Sequence, residues 1–96
     1  MTDYNEAIRL DMNFAGAYYN RGNLLSQKGD LAGALTDLTA ALHLEPTYAS
    51  GYFNRGILYQ RLGRIDDAIA DFRKTLHLNP KHESASRALE ALGVAP

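Results

Sequence analysis

Apolar residues recur along the chain at spacings of three and four, which is the pattern of helices that bury one face. Gly29, Pro46, Gly63 and Pro80 interrupt this pattern. Glycine suits the left-handed residue that ends a helix, and the residue before a proline leaves the helical region. The sequence therefore predicts an all-α protein with helices at 3–11, 15–28, 31–44, 49–62, 65–78 and 83–92.

One stretch of the sequence occurs twice. Residues 18–46 return at 52–80 without a gap, an offset of 34 residues (52 minus 18). Thirteen positions are identical between the units 15–48 and 49–82. A fixed period of this length indicates stacked repeats, in which each unit packs against its neighbours. Residues 3–11 align with the second helix of the unit, so we expect the chain to begin within a repeat.

Composition narrows the choice of function. The 96 residues make at most one small compact domain, and the net charge of −1 without a Lys/Arg cluster argues against a nucleic-acid partner. The chain has no cysteine, no apolar run long enough for a membrane span, and no secretory signal at its N-terminus. We therefore expect a soluble protein of unknown compartment, cytoplasmic by default.

The shared residues of the two units form a recognisable pattern. A large aromatic precedes a glycine by four residues, and an alanine, a large apolar residue, a second alanine and a proline follow. In the first unit these are Tyr18, Gly22, Ala34, Leu38, Ala41 and Pro46. In the second they are Tyr52, Gly56, Ala68, Phe72 and Pro80, with Thr75 in place of the last alanine. This pattern resembles the tetratricopeptide repeat (TPR).

The resemblance implies a TPR-like α-solenoid, a right-handed superhelical stack of antiparallel helix pairs. It predicts a single TPR domain over residues 1–96. Within it we expect the second helix of a partial repeat at 3–12, repeats at 15–48 and 49–82, and a C-terminal capping helix at 83–93. The chain departs from the common pattern at Arg21 and Arg55, where leucine is usual.

The resemblance also implies a function, which is to bind a peptide or a partner protein on the concave face formed by the first helix of each repeat. The family's groove positions correspond here to Tyr19, Asn20, Asn23, Gln27, Phe53, Asn54, Ile57, Gln60 and Arg61. Asn20 and Asn54 are the leading candidates, because an asparagine amide can both donate to and accept from a peptide backbone. The alternatives are that these asparagines stabilise the repeat locally, and that Tyr19, Phe53 and Ile57 pack against the preceding helix.

Some relatives grip a carboxylate at the end of a peptide with paired asparagines, lysine and arginine. Asn23 and Asn54 match two of those positions, but Tyr19, Ser50, Ser84 and Ala88 supply no cation. We therefore do not expect a clamp for a chaperone tail.

Charged residues recur together in the two units. Arg21 and Asp37 stand 16 residues apart, as do Arg55 and Asp71 (37 minus 21, 71 minus 55). We expect an ion pair across each helix pair; the alternative is that all four charges are solvated separately. His43 and His77, near helix ends, fit the negative end of the helix dipole better than a metal site. We find no catalytic cluster, metal-ligand spacing or cofactor motif, and predict that the protein is not an enzyme.

The leading hypothesis is thus an interaction scaffold. The alternative is a structural self-assembly module, a fragment of a longer array that forms homo-oligomers through its end helices. Tyr4, Ile8 and Leu10 would be incompletely covered at the open end, and few repeats give marginal stability.

Overall fold

The computed structural model describes residues 15–95, which contain five α-helices and no strand. The helices are α1 (Ala15–Gln27), α2 (Leu31–Leu44), α3 (Ala49–Arg61), α4 (Ile65–Leu78) and α5 (Glu83–Ala91). Each agrees with its predicted range to within one residue. The partial repeat predicted at 3–12 lies outside the described residues. The chain divides after Pro46 into two compact units.

The first unit contains the helix pair α1 and α2. The helix α1 ends in a glycine turn, because Gly29 has a φ of +89° and its N–H donates to Ser26. The N–H of Asp30 then donates to Leu25, which completes a Schellman motif. Asp30 also begins the next helix, since its side chain accepts a hydrogen bond from the Gly33 N–H at 3.0 Å. The helix end predicted at Gly29 is therefore confirmed.

The helices of this pair approach each other closely at Gly22. A Cβ atom on this glycine would lie 3.1 Å from both Asp37 Cβ and Leu38 Cγ and 3.2 Å from the Ala34 carbonyl oxygen. This glycine therefore makes room for the second helix, at a cost in helix propensity of about 1 kcal/mol. Ala34 and Leu38 are almost fully buried beside it.

The second unit contains α3, α4 and α5. Its core is the buried cluster of Ala68, Phe72 and Leu89, so the terminal helix contributes directly to it. Gly56 faces this core more tightly than Gly22 faces its own, because an added Cβ would lie 2.6 Å from Phe72 Cε1. Gly63 has a φ of +79° and ends α3 as Gly29 ends α1.

The helix α5 begins with a cap that the sequence pattern did not reveal. His82 precedes the helix, and its Nδ1 accepts a hydrogen bond from the Ala85 N–H at 3.1 Å. Gly93, with a φ of +79°, ends the same helix. There the N–H groups of Gly93 and Val94 donate to the Glu90 and Leu89 carbonyl oxygens, so hydrogen bonds fix both ends of the short terminal helix.

Candidate functional site

An arginine on the first helix of each pair forms a two-pronged ion pair with an aspartate on the second. Arg21 Nε donates to Asp37 Oδ2 at 2.6 Å, and its Nη2 donates to Oδ1 at 2.7 Å. Arg55 makes the same two bonds to Asp71 at 2.7 and 2.8 Å. Both predicted ion pairs are confirmed. The planar guanidinium fits the two carboxylate oxygens in a way that lysine could not.

The two carboxylates are buried, while the arginines reach toward the surface. The side chains of Asp37 and Asp71 are only 4% and 7% exposed, against 26% and 18% for Arg21 and Arg55. The hydrogen bonds that the arginines donate to the aspartates raise the pKa of both guanidinium groups, although burial opposes this rise. Each arginine therefore stays charged and neutralises a carboxylate that could not remain buried alone.

Tyrosine rings surround the arginines. The Arg21 Cζ lies 5.9 Å from the centre of the Tyr18 ring, three residues earlier on the same helix. Arg55 Cζ lies 5.6 Å from the centres of both the Tyr52 and Tyr59 rings. Arg55 thus contacts the rings of Tyr52 and Tyr59, and Arg21 contacts the ring of Tyr18. These contacts keep each arginine against its own helix and aim the guanidinium at the second helix.

The predicted groove residues of α1 follow a helical spacing of one, three and four, which places them on one side of the helix. Asn20 and Gln27 are exposed there, whereas Tyr19 and Asn23 are half-buried. The structure therefore presents two amide side chains on the surface of α1, with a tyrosine partly covered beside them. Such a surface offers hydrogen bonds and apolar contact, but no charged group.

The equivalent residues of α3 are more mixed. Phe53 is half-buried: its ring centre lies 5.7 Å from that of Phe72 in the core and 4.9 Å from that of His82. Asn54 and Gln60 are also half-buried, whereas Ile57 and Arg61 are exposed. Phe53 thus contributes to the packing of the second unit, and the outer contact surface of α3 consists mainly of the other four residues.

Other polar residues have structural roles. His43 and His77 lie exposed in the last turns of α2 and α4. Thr75 is fully buried, and its Oγ1 donates to the Asp71 carbonyl oxygen at 2.8 Å, so the hydroxyl that replaces the usual alanine is satisfied. Between residues 15 and 95, no three His, Cys, Asp or Glu side chains come together as metal ligands.

Two features of this surface could not be predicted by comparing the units. The His82 cap occupies the position of Tyr48, which makes no side-chain cap, so the repeat alone gives no signal. Arg64 Cζ lies 4.8 Å from the Tyr59 ring centre. The equivalent positions in the first unit are Asp30 and Leu25. The sequence offers one signal for this contact: an aromatic residue and an arginine stand five residues apart, on either side of the glycine turn.

The comparisons with known proteins agree with this architecture. The Tetratricopeptide repeat model matches residues 49–82, and the TPR repeat model matches residues 1–29 and 22–63. The chain belongs to the tetratricopeptide repeat family. The predicted family and the all-α, TPR-like fold class are therefore confirmed. A comparison with curated proteins gives no match. None of the helices in residues 15–95 has the length and apolar character needed to cross a membrane.

Several solved structures are similar to this chain. The Arabidopsis OM64 TPR domain is 32% identical with a TM-score of 0.88, over 93% of this chain and 74% of that one. MamA is 28% identical with a TM-score of 0.86, and the match covers 95% of this chain and 56% of the MamA chain. YrrB, described as a TPR protein with an unusual peptide-binding site, is 25% identical with a TM-score of 0.85, over 91% and 45%. The chain thus spans about half the length of MamA and YrrB.

Proposed function

We propose that this chain is a non-enzymatic interaction scaffold that binds a peptide segment of a partner protein through the first helices of its repeats, α1 and α3. The family resemblance assigns these helices to the concave face. The observation that supports the proposal best is the exposed amide surface of α1, where Asn20 and Gln27 lie on the side opposite to close packing at Gly22. The peptide-binding site in the description of YrrB supports the same class of function.

The ion pairs suit this role because they fix the helices that present the binding residues. Asn20 immediately precedes Arg21, and Asn54 immediately precedes Arg55. Each arginine is held to the second helix by two hydrogen bonds, which restrains the rotation of the first helix about its axis. A binding surface that is already ordered loses less entropy when a peptide arrives.

Phe53 and the remaining groove residues have different parts in the proposal. Tyr19, Ile57 and Arg61 supply apolar and cationic contact, whereas Asn20, Asn23, Asn54, Gln27 and Gln60 bond the peptide backbone. Phe53 orders α3 through its contacts with Phe72 and His82, and its half-buried side chain leaves less surface for a peptide. The nine residues carry a single cation, Arg61, so we propose that the ligand is an internal, extended segment rather than a free carboxylate terminus.

A peptide-library selection tests this proposal. Wild-type protein and the double variant Asn20→Ala/Asn54→Ala are presented with the same displayed library, and enriched peptides are measured by titration. Loss of two backbone hydrogen bonds, at about 0.5–1.5 kcal/mol for each bond, should weaken binding by about five- to 150-fold. The matched control is Asn79→Ala, which alters an exposed asparagine at the end of α4. Equal affinity of the double variant and wild type would overturn the assignment of these residues.

The chemical form of the peptide's C-terminus distinguishes an internal segment from a ligand that is bound by its free carboxylate. A selected peptide is compared as its free acid and its C-terminal amide. An internal segment should bind equally well in both forms, whereas a site that clamps the carboxylate would not bind the amidated peptide.

Self-association remains the second hypothesis for the chain's role. Three of its predicted contact residues, Tyr4, Ile8 and Leu10, lie outside the described residues. Molar mass measured over a concentration series distinguishes it from monomeric peptide binding, and Ile8→Asp should dissociate any oligomer formed through that end.

A further inference from the structure

A groove in the first unit lies on the Tyr18 side of the helix pair, away from the proposed peptide residues. It has a volume of about 410 Å³, within the range of small-ligand sites. One lining residue comes from the first helix and five come from the second helix, between its middle and its C-terminal end: Tyr18, Thr36, Thr39, Ala40, His43 and Leu44. The groove shares none of the nine peptide-binding candidates.

The second unit shows which group lies near the equivalent tyrosine ring. At the position equivalent to Ala40 stands Lys74, and its Nζ lies 5.8 Å from the centre of the Tyr52 ring. Tyr52 is the equivalent of Tyr18. The second unit therefore places its own ammonium over the tyrosine ring, whereas alanine in the first unit leaves the equivalent ring without one from α2.

The two tyrosine rings share part of their surroundings, although Ala70 and Arg73 stand in the second unit at the positions of Thr36 and Thr39. Each has an arginine guanidinium nearby, at 5.9 Å from Tyr18 and 5.6 Å from Tyr52. Because each arginine is paired with a buried aspartate, its charge is neutralised locally. An arginine and a lysine share the Tyr52 ring, so the arginine beside Tyr18 does not prevent a second cation from binding. A histidine also occupies the same position in both units, at His43 and His77.

The position of the groove favours a cation further. Ala40, His43 and Leu44 belong to the last turns of α2, where the helix dipole and the final carbonyl groups create negative potential. The aromatic face of Tyr18 attracts an ammonium in the same way. The Leu44 and Ala40 side chains provide apolar contact for a flexible aliphatic stem.

We propose that the Tyr18 groove binds the side chain of a lysine from a partner polypeptide, in the position that Lys74 occupies over Tyr52 in the second unit. The occupant is defined by its chemistry, an aliphatic stem ending in a primary ammonium. The site is independent of the peptide-binding proposal, and either can fail without the other.

The test uses the full chain and a short capped peptide with lysine at its centre, titrated while NMR signals of the Tyr18 ring are followed. The control peptide carries norleucine, which keeps most of the stem and lacks the charge. The lysine peptide should bind about two- to fivefold more tightly, the factor expected for a cation on an exposed aromatic face. Equal binding of the two peptides would overturn the proposal.

Two exchanges between the units provide the decisive variants. Ala40→Lys should fill the groove from within and abolish the shift of the Tyr18 signals. Lys74→Ala should uncover the Tyr52 ring and create a second site, seen as new shifts of the Tyr52 signals on adding the lysine peptide. Lys74 is exposed, so its replacement leaves the fold intact. Undiminished binding to Ala40→Lys, or no response of Tyr52 in Lys74→Ala, would each refute the assignment.

Discussion

Replacing Arg55 by leucine, the residue that the family commonly has at this position, should strongly destabilise the protein. The Asp71 side chain is only 7% exposed and receives two hydrogen bonds from Arg55. Removing one partner of a buried ion pair typically costs about 3–5 kcal/mol, because the remaining charge is neither solvated nor paired. Contacts with two tyrosine rings are lost as well, at about 0.5–1 kcal/mol each. For a chain of this size, such a loss is a large share of the total stability.

The same reasoning predicts that the damage is repaired when the carboxylate is also removed. In the double variant Arg55→Leu/Asp71→Leu no charge remains buried, and leucine fills similar volume. We expect its free energy of unfolding to lie within about 1.5 kcal/mol of wild type, since buried ion pairs can often be exchanged for apolar residues at little cost. The double variant should therefore be more stable than either single variant.

The assay is urea unfolding followed by helical circular dichroism, with the coupling energy obtained from a double-mutant cycle. Arg21→Leu is an internal comparison and should cost less, because the Arg21 side chain is 26% exposed against 18% for Arg55. Asp67→Asn is the matched surface control: its pair with Arg64 is about half exposed and should contribute under about 1 kcal/mol. A cost below about 1 kcal/mol for Arg55→Leu, or additive single effects, would refute the reasoning.

Three further predictions concern the glycines, the terminal helix and pH. Gly56→Ala should destabilise more than Gly22→Ala in the same unfolding assay, because the new Cβ would meet the Phe72 ring at 2.6 Å rather than neighbours at 3.1 Å. His82→Ala should cost about 0.5–2 kcal/mol and speed hydrogen exchange at Ala85, whose N–H loses its acceptor. Folding raises the pKa of both arginines. The stability that their charged forms contribute is therefore complete below the unfolded pKa, and it is lost as the pH rises through the folded pKa. The coupling energy should therefore be equal at pH 6 and pH 9, and a fall at pH 9 would contradict this.

The sequence predicted the helices well because the two units can be compared with each other, position by position. Gly29 and Gly63 recur at one position, and each has the positive φ that favours glycine. The recurrence of Arg21 with Asp37 likewise revealed a contact across the helix pair. Agreement between two copies thus identified both backbone and side-chain constraints, without any other sequence for comparison.

The differences between the units were harder to interpret. Phe53 was predicted as a groove residue, and its packing against His82 depends on a joint whose side chains differ between copies. The Lys74–Tyr52 contact joins two helices through a flexible side chain, which no periodicity reveals. Sequence repetition therefore indicates shared architecture, whereas each unit's individual surface required the three-dimensional arrangement.

The ion pairs have a consequence for how the helices choose their partners. A slip of one helix against the other by one turn moves a carboxylate about 5.4 Å, out of reach of the guanidinium, so misaligned pairings are penalised. The pairs cannot, however, distinguish one copy from the other, since Arg21 would satisfy Asp71 as well as Asp37. The residues opposite the glycines differ between the two copies, because Leu38 faces Gly22 and the larger Phe72 faces Gly56. The ion pairs thus set the alignment of the two helices within each hairpin. The volumes of the side chains that face the glycines disfavour pairing a helix of one hairpin with a helix of the other.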